Sequence, residues 1–223
     1  MKAGNFTYTL ESDLPEIVPV FPLEAALLLP GGNMPLNIFE PRYLAMFDEA
    51  MAGNRVIGMI QPEIDFDERL DEPPLCTVGC LGRVTAYQET GDGRLMINLT
   101  GICRFRLLNE EEGQNGYRRA RIAPFAEDLE DMSEAAEAVD REALLEAFRK
   151  FLEANDMEAD WEGVSEASTE MLVNSLSMMS PYGPAEKQAL LEAPDLKTRA
   201  ETLIAITEIA LAREAGEASA TLQ

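Results

Sequence analysis

A chain of 223 residues with 46% hydrophobic content is long enough to bury a core, and that content sets it apart from disordered sequences. Its formal charge of −23 is uneven: residues 126–223 carry 23 acids against 7 bases, and residues 1–125 carry 18 against 11. Such a field repels polyanions and argues against nucleic acid or an anionic membrane as a general partner, and no run of about 18 apolar residues exists to span a bilayer.

The first 20 residues scatter acids and prolines without an apolar stretch, so the expected location is the cytoplasm. Residues 17–20 and 27–29 are short apolar runs, and Pro30-Gly31-Gly32-Asn33 reads as a turn. Residues 34–38 form another extended piece. A helix is expected from Pro41, because proline fits the first helical position. Glu40 is its cap, Phe39 and Leu44 stand at staple positions, Tyr43, Phe47, Ala50 and Met51 share one face, and Gly53-Asn54 ends it. Residues 56–61 are a third apolar run. Strand 78–88 turns at Gly91-Asp92-Gly93 into strand 95–107. There Leu95, Ile97, Leu99, Cys103 and Phe105 share one parity, which predicts burial on one side. Residues 117–125 give a further strand. Short antiparallel strands with one helix suggest a partly closed barrel.

Residues 126–133 read as an acidic linker, and beyond them the period changes to 3.6. Leu144, Leu145, Phe148, Phe151 and Leu152 make one stripe; Met171, Leu172, Ser175, Leu176 and Met179 make a second. Pro184 starts a third helix, and Asp195 caps a fourth that runs to about Ala215 at the centre of a bundle.

The chemistry is sparse. There is no Gly-x-x-x-x-Gly-Lys-Ser/Thr loop and no histidine, so neither an ATPase phosphate cradle nor a histidine-activated nucleophile can be assembled. Lys150 and Lys187 are expected on helix surfaces in water. Cys76-Thr-Val-Gly-Cys80 has the wrong spacing for a zinc knuckle, and Cys76, Cys80 and Cys103 are read as reduced structural thiols. No metal or cofactor is expected. Arg83, Arg104, Arg106, Arg119 and Arg121 fall on the non-core parity, where pairing with acids or solvation is favoured over an anion site. Met171, Met178 and Met179 suit a surface for varied apolar partners, but core filling is favoured.

In order along the chain, Phe21-Pro-Leu, Leu28-Leu-Pro-Gly, Met34-Pro-Leu-Asn-Ile-Phe-Glu-Pro-Arg-Tyr and Val78-Gly-Cys-Leu-Gly-Arg resemble signatures of the substrate-binding domain at the N-terminus of Lon-type proteases. So do Asp92-Gly-Arg, Leu99-Thr-Gly-Ile-Cys-Arg-Phe-Arg, and the helical segment from Lys187 to Ala200. The resemblance implies an α+β fold: a PUA-like β pseudobarrel with one helix over residues 1–125, then an α-helical bundle over residues 126–223. It also implies recognition of unfolded or client polypeptide. With no ATPase or peptidase motif before Gln223, the expectation is a non-enzymatic module standing alone. It would act as an adaptor or accessory factor in protein quality control, with a protease or chaperone as a further partner. An apolar groove is expected near Pro30 and Gly31 and the helix start at Phe39, Glu40, Pro41, Arg42 and Tyr43, extending toward the helical half. The rival classes are an anion- or nucleic-acid-binding PUA-like module and a hydrolase with an unrecognised site; the oligomeric state stays open.

Overall fold

The computed structural model describes residues 1–64, 66, 72–111, 113, 115–130 and 133–221. A small hairpin, β1 (Lys2–Ala3) and β2 (Phe6–Thr7), precedes β3 (Ile17–Pro22), β4 (Asn33–Ile38) and helix α1 (Pro41–Ala52). Four strands follow: β5 (Val56–Pro62), β6 (Leu75–Glu89), β7 (Leu95–Glu111) and β8 (Arg118–Pro124). The main sheet runs β4-β7-β6-β5-β3-β8, and β8 also pairs with β7. Five strands therefore close into a barrel, while β4 hangs on β7 as an edge. Among the described residues only β3 and β5 are parallel, as a connection long enough to include α1 permits. The glycine turn joins β6 to β7, with Gly91 and Gly93 both in the left-handed region at φ 83° and 86°.

The expected one-sided burial of β7 does not hold. Leu81 faces Cys103 and Gly82 faces Gly101, so Ile102 is an extra residue, and a β-bulge swaps the faces there. Ile97 and Leu99, before it, join a core shared with the helices. Cys103 and Phe105, after it, join a second cluster with Val20, Leu81 and Ile122 inside the barrel. Phe105 fills that interior against Gly79, where a Cβ would meet its ring.

Proline opens α1 as expected, and Gly53 ends it. The buried face is Tyr43, Met46, Phe47 and Ala50, with Met51 only partly covered. Phe39 is 58% exposed, with the Arg94 guanidinium 5.6 Å from its ring, so burial contributes little to a staple.

Among the described residues, six α-helical segments occupy the second half where four were expected: α2 (Ser133–Glu137), α3 (Arg141–Ala154), α4 (Trp161–Glu166), α5 (Thr169–Met179), α6 (Pro184–Glu192) and α7 (Leu196–Thr221). Asp140, Asp160, Ser168 and Asp195 each accept a backbone N–H at a helix start, which satisfies groups the helix leaves unpaired. The last helix touches α2, α3, α5 and α6, the central role its apolar residues suggested. Leu144, Leu172, Leu190 and Leu203 share one cluster with Phe21, Leu28 and Leu99, so the barrel and the helices are joined by apolar burial.

The expected acidic linker carries a 3-10 turn, Ala126–Leu129, that buries Asp128 and Leu129, while residues 131 and 132 of it lie outside the described residues. Asp128 and Arg104 are each almost fully covered. The carboxylate accepts the Arg104 backbone N–H and Nε at 2.8 Å and Nη2 at 2.8 Å. Arg104 also donates to the carbonyls of Leu191 and Ala193, tying β7 to the α6–α7 turn. Its assignment to an outer, non-core face is corrected by the bulge at Ile102.

Candidate functional site

Residues 23–32 cross from β3 to β4 as a loop pinned at two places by the helical half. Near its start Ala25, in the left-handed region at φ 56°, donates its N–H to Gln61 Oε1 at 2.8 Å. Gln61 sits at a register shift in β5, and its amide donates to the Pro184 carbonyl and to Gln188 Oε1. Near its end, Asn174 of α5 donates to the Pro30 carbonyl at 3.1 Å and accepts from Arg199 Nη1 at 3.0 Å. The turn itself is laced to β7: Gly31 donates to the Gly101 carbonyl, and Gly101 donates to the Gly32 carbonyl. Gly31 takes φ 74°, which favours glycine there, and a Cβ on Gly32 would displace the Met178 thioether.

The pinned loop, β4 and α5 enclose a groove of about 480 Å³, within the usual range for ligand clefts. Ala25, Ala26, Gly31, Gly32, Met34 and Pro35 form one wall; Met171, Ser175, Met178 and Met179 form the other. The α5 residues follow helical spacing, which places them on one face. Met171 is 60% exposed and Met179 81%. Core filling is therefore corrected for these two: the inner face of α5 buries Leu172, Val173 and Leu176, and the methionines stand outside. Along one side of the groove β4 pairs, among the described residues, with β7 alone, which leaves a strand edge open.

Of the residues expected at a binding site, Pro30 and Gly31 belong to this loop, Pro30 buried and Gly31 on the lining. Arg42 and Tyr43 line a different cleft, of about 200 Å³, with Pro22, Pro62 and Tyr117. There Arg42 pairs with Glu40 at 2.9 Å and stacks over the Tyr43 ring at 4.6 Å. Phe39 and Pro41 are exposed and line neither space. The structure does not bring the turn and the helix start into one groove. What sequence reasoning missed was the β4 edge at Asn33, Met34 and Pro35; its signal was the proline inside a strand, which belongs on an edge.

The groove lining carries no titratable side chain. It can hold apolar surface and backbone, with Asn33 and Ser175 as its polar side chains. Lys187, expected in water, is instead buried, and its Nζ donates to the carbonyls of Ser177 and Met178 at the C-terminal end of α5. Burial pulls its amine down to about 8. Burial likewise pushes the Cys103 thiol up to about 12 and Cys80 well above its ordinary value, which keeps both in the inert thiol form. The strand arginines have partners: Arg104 with Asp128, Arg119 with Glu49, Arg121 with Glu16 and Glu111, and Arg83 with Tyr8 and the Asn54 carbonyl. Arg106 lies 5.6 Å from the Phe125 ring. Among the described residues no group of three or more histidine, cysteine or acidic side chains is placed to hold a metal, and no helix is long and apolar enough to cross a membrane.

The family model of the ATP-dependent protease La (LON) substrate-binding domain matches residues 17–208. Lon protease 2 of Myxococcus xanthus is 26% identical over 203 residues, covering 87% of this chain and 24% of the relative. Lon protease of Anaeromyxobacter dehalogenans is 27% identical, with 87% and 23% covered. The chain thus spans about a quarter of the length of these curated relatives. Among solved structures, a Lon N-terminal domain protein from Xanthomonas campestris superposes with a TM-score of 0.61 at 24% identity, covering 85% of this chain and 97% of the other. The N-terminal domain of a Mycobacterium avium complex Lon protease gives 0.62 at 19%, with 86% and 98% covered.

Proposed function

Because the chain belongs to the Lon substrate-binding domain family, we propose that it binds unfolded polypeptide in extended form, laid along the open edge of β4 and against the methionine face of α5. The observation that carries this reading is the uncharged groove beside an unpaired strand edge. An added strand supplies main-chain hydrogen bonds, and alternate side chains enter the apolar groove. Flexible thioethers accommodate side chains of differing shape, as a client set of varied sequence requires. Pro35 withholds one N–H from the edge, which favours transient additions over self-pairing. On this reading the chain acts without covalent chemistry, as an adaptor or accessory factor in cytoplasmic protein quality control that presents clients to a protease or chaperone.

The test is anisotropy of fluorescently labelled, reduced and carboxymethylated α-lactalbumin. Met34→Asp should weaken binding at least tenfold with the circular dichroism spectrum unchanged, a loss of about 1.4 kcal/mol. Casein incubated with the protein, with and without ATP, should stay intact. Unchanged affinity for Met34→Asp together with a loss for Arg42→Ala would move the site to the Tyr43 cleft.

A further inference from the structure

A second groove, of about 440 Å³, adjoins the first and shares Met171, Ser175 and Met179 with it; α3, residues 157–160, α4 and α5 wall it. Phe148, Leu152, Val164 and Leu176 line it, and Met157 and Met179 stand on it 53% and 81% exposed. We propose that this groove is a second binding site, contiguous with the first, which takes the apolar face of a basic amphipathic helix supplied by a partner protein.

Two observations select that occupant. The first is the nature of the walls. Three walls are helices, whose backbone groups are spent on their own hydrogen bonds; the remaining wall, residues 157–160, belongs to no strand, and among the described residues no strand edge borders the groove. An extended chain lying there would leave most of its own backbone groups unpaired, whereas a helix satisfies its own and offers side chains at i, i+3, i+4 and i+7. The second is charge. Residues 153–166 hold six acids, Glu153, Asp156, Glu158, Asp160, Glu162 and Glu166, and no base. All six are exposed, and Glu158 and Asp160 lie on the groove itself. The nearest bases are already engaged: Arg149 lies 4.9 Å from the Trp161 ring, Lys150 pairs with Glu146, and Arg141 donates to the Val164 carbonyl and to Thr169, so two guanidinium groups stand against this segment beside its six carboxylates. Among the described residues no ion pair reaches any of the six acids. An apolar trough under carboxylates that no ion pair engages complements a helix with leucine-like residues on one face and lysine or arginine beside them.

The sole tryptophan, Trp161, opens α4 beside the groove and gives an internal reporter. An 18-residue leucine/lysine peptide with helical periodicity and no tryptophan should shift Trp161 emission saturably. A leucine/glutamate peptide of the same pattern, and a leucine/lysine peptide broken by two prolines, should each bind at least tenfold more weakly. Met157→Glu should weaken the helical peptide at least tenfold. The double variant Glu158→Lys, Glu162→Lys should weaken it about fivefold at 50 mM salt, with the difference shrinking at 500 mM. Equal binding of the acidic or the proline-broken peptide, or no effect of Met157→Glu, would overturn the proposal. So would concentration-dependent self-association abolished by Met157→Glu, which would make a second copy the occupant. Loss with Met34→Asp but not with Met157→Glu would also overturn it while leaving the strand-edge reading intact. Loss of carboxymethylated lactalbumin with Met157→Glu alone would overturn the strand-edge reading instead.

Discussion

On its inner face α5 presents Leu172, Val173 and Leu176 to the shared core, with Asn174 bonded to Pro30 and Arg199 and Lys187 closing its last carbonyls. On its outer face the same helix presents Met171, Ser175 and Met179, which are polarizable, rotatable and uncovered or only half covered. The inner contacts are directional and buried, so each fixes one position; the outer ones are apolar and adaptable. The difference shows how a soft surface can still bind. Its backbone is held in place before the ligand arrives, so only side-chain freedom is lost on association.

Breaking the fixed side should give the largest effect. Asp128→Ala strands the buried Arg104 guanidinium and should cost about 3–5 kcal/mol in urea unfolding. A cost under about 1 kcal/mol would mean that the Arg104 seam does not hold the barrel to the helices. Next comes Lys187→Met, which removes the donor to Ser177 and Met178 and should cost about 2–3 kcal/mol at pH 7. Its pH dependence sharpens the point. The buried amine titrates at about 8, below its ordinary 10.5, so between those values the unfolded chain holds more protons and rising pH favours the fold. The penalty of burying the charge is full below pH 8 and gone above 10.5, while the neutral amine still donates to both carbonyls. Relative to Lys187→Met, the wild type should therefore gain stability from pH 8 to 10. On the soft side, the pair Met171→Ser, Met179→Ser should change stability by no more than about 0.5 kcal/mol. Binding of carboxymethylated lactalbumin should nevertheless fall about fivefold. A large stability loss there would erase the distinction between the faces.

Features set by neighbours along the chain were legible in the sequence. Pro41 starts α1, Asp195 caps α7, and the glycines at 91 and 93 turn β6 into β7, because each depends on residues a few positions away. Arg104 was misplaced because one inserted residue, Ile102, reverses the faces of β7, and the insertion exists only relative to the partner strand. Lys187 reads as a surface lysine until the end of α5 is folded over it. The candidate site divides in the same way. The turn at Pro30 and Gly31 was visible as a turn, and the methionines were visible as a stripe. Which side of α5 faces water follows from the packing of the helices, and the open edge of β4 follows from β8 closing onto β7. Neither is a local property.

Amide hydrogen exchange, followed with and without saturating carboxymethylated lactalbumin, reads the strand edge directly. Slowed exchange is expected in the β4 amides of residues 33–38 other than Pro35, which has none, with little change around Arg42 and Tyr43. Exchange unchanged in β4 and slowed around Tyr43 would contradict the strand-edge reading.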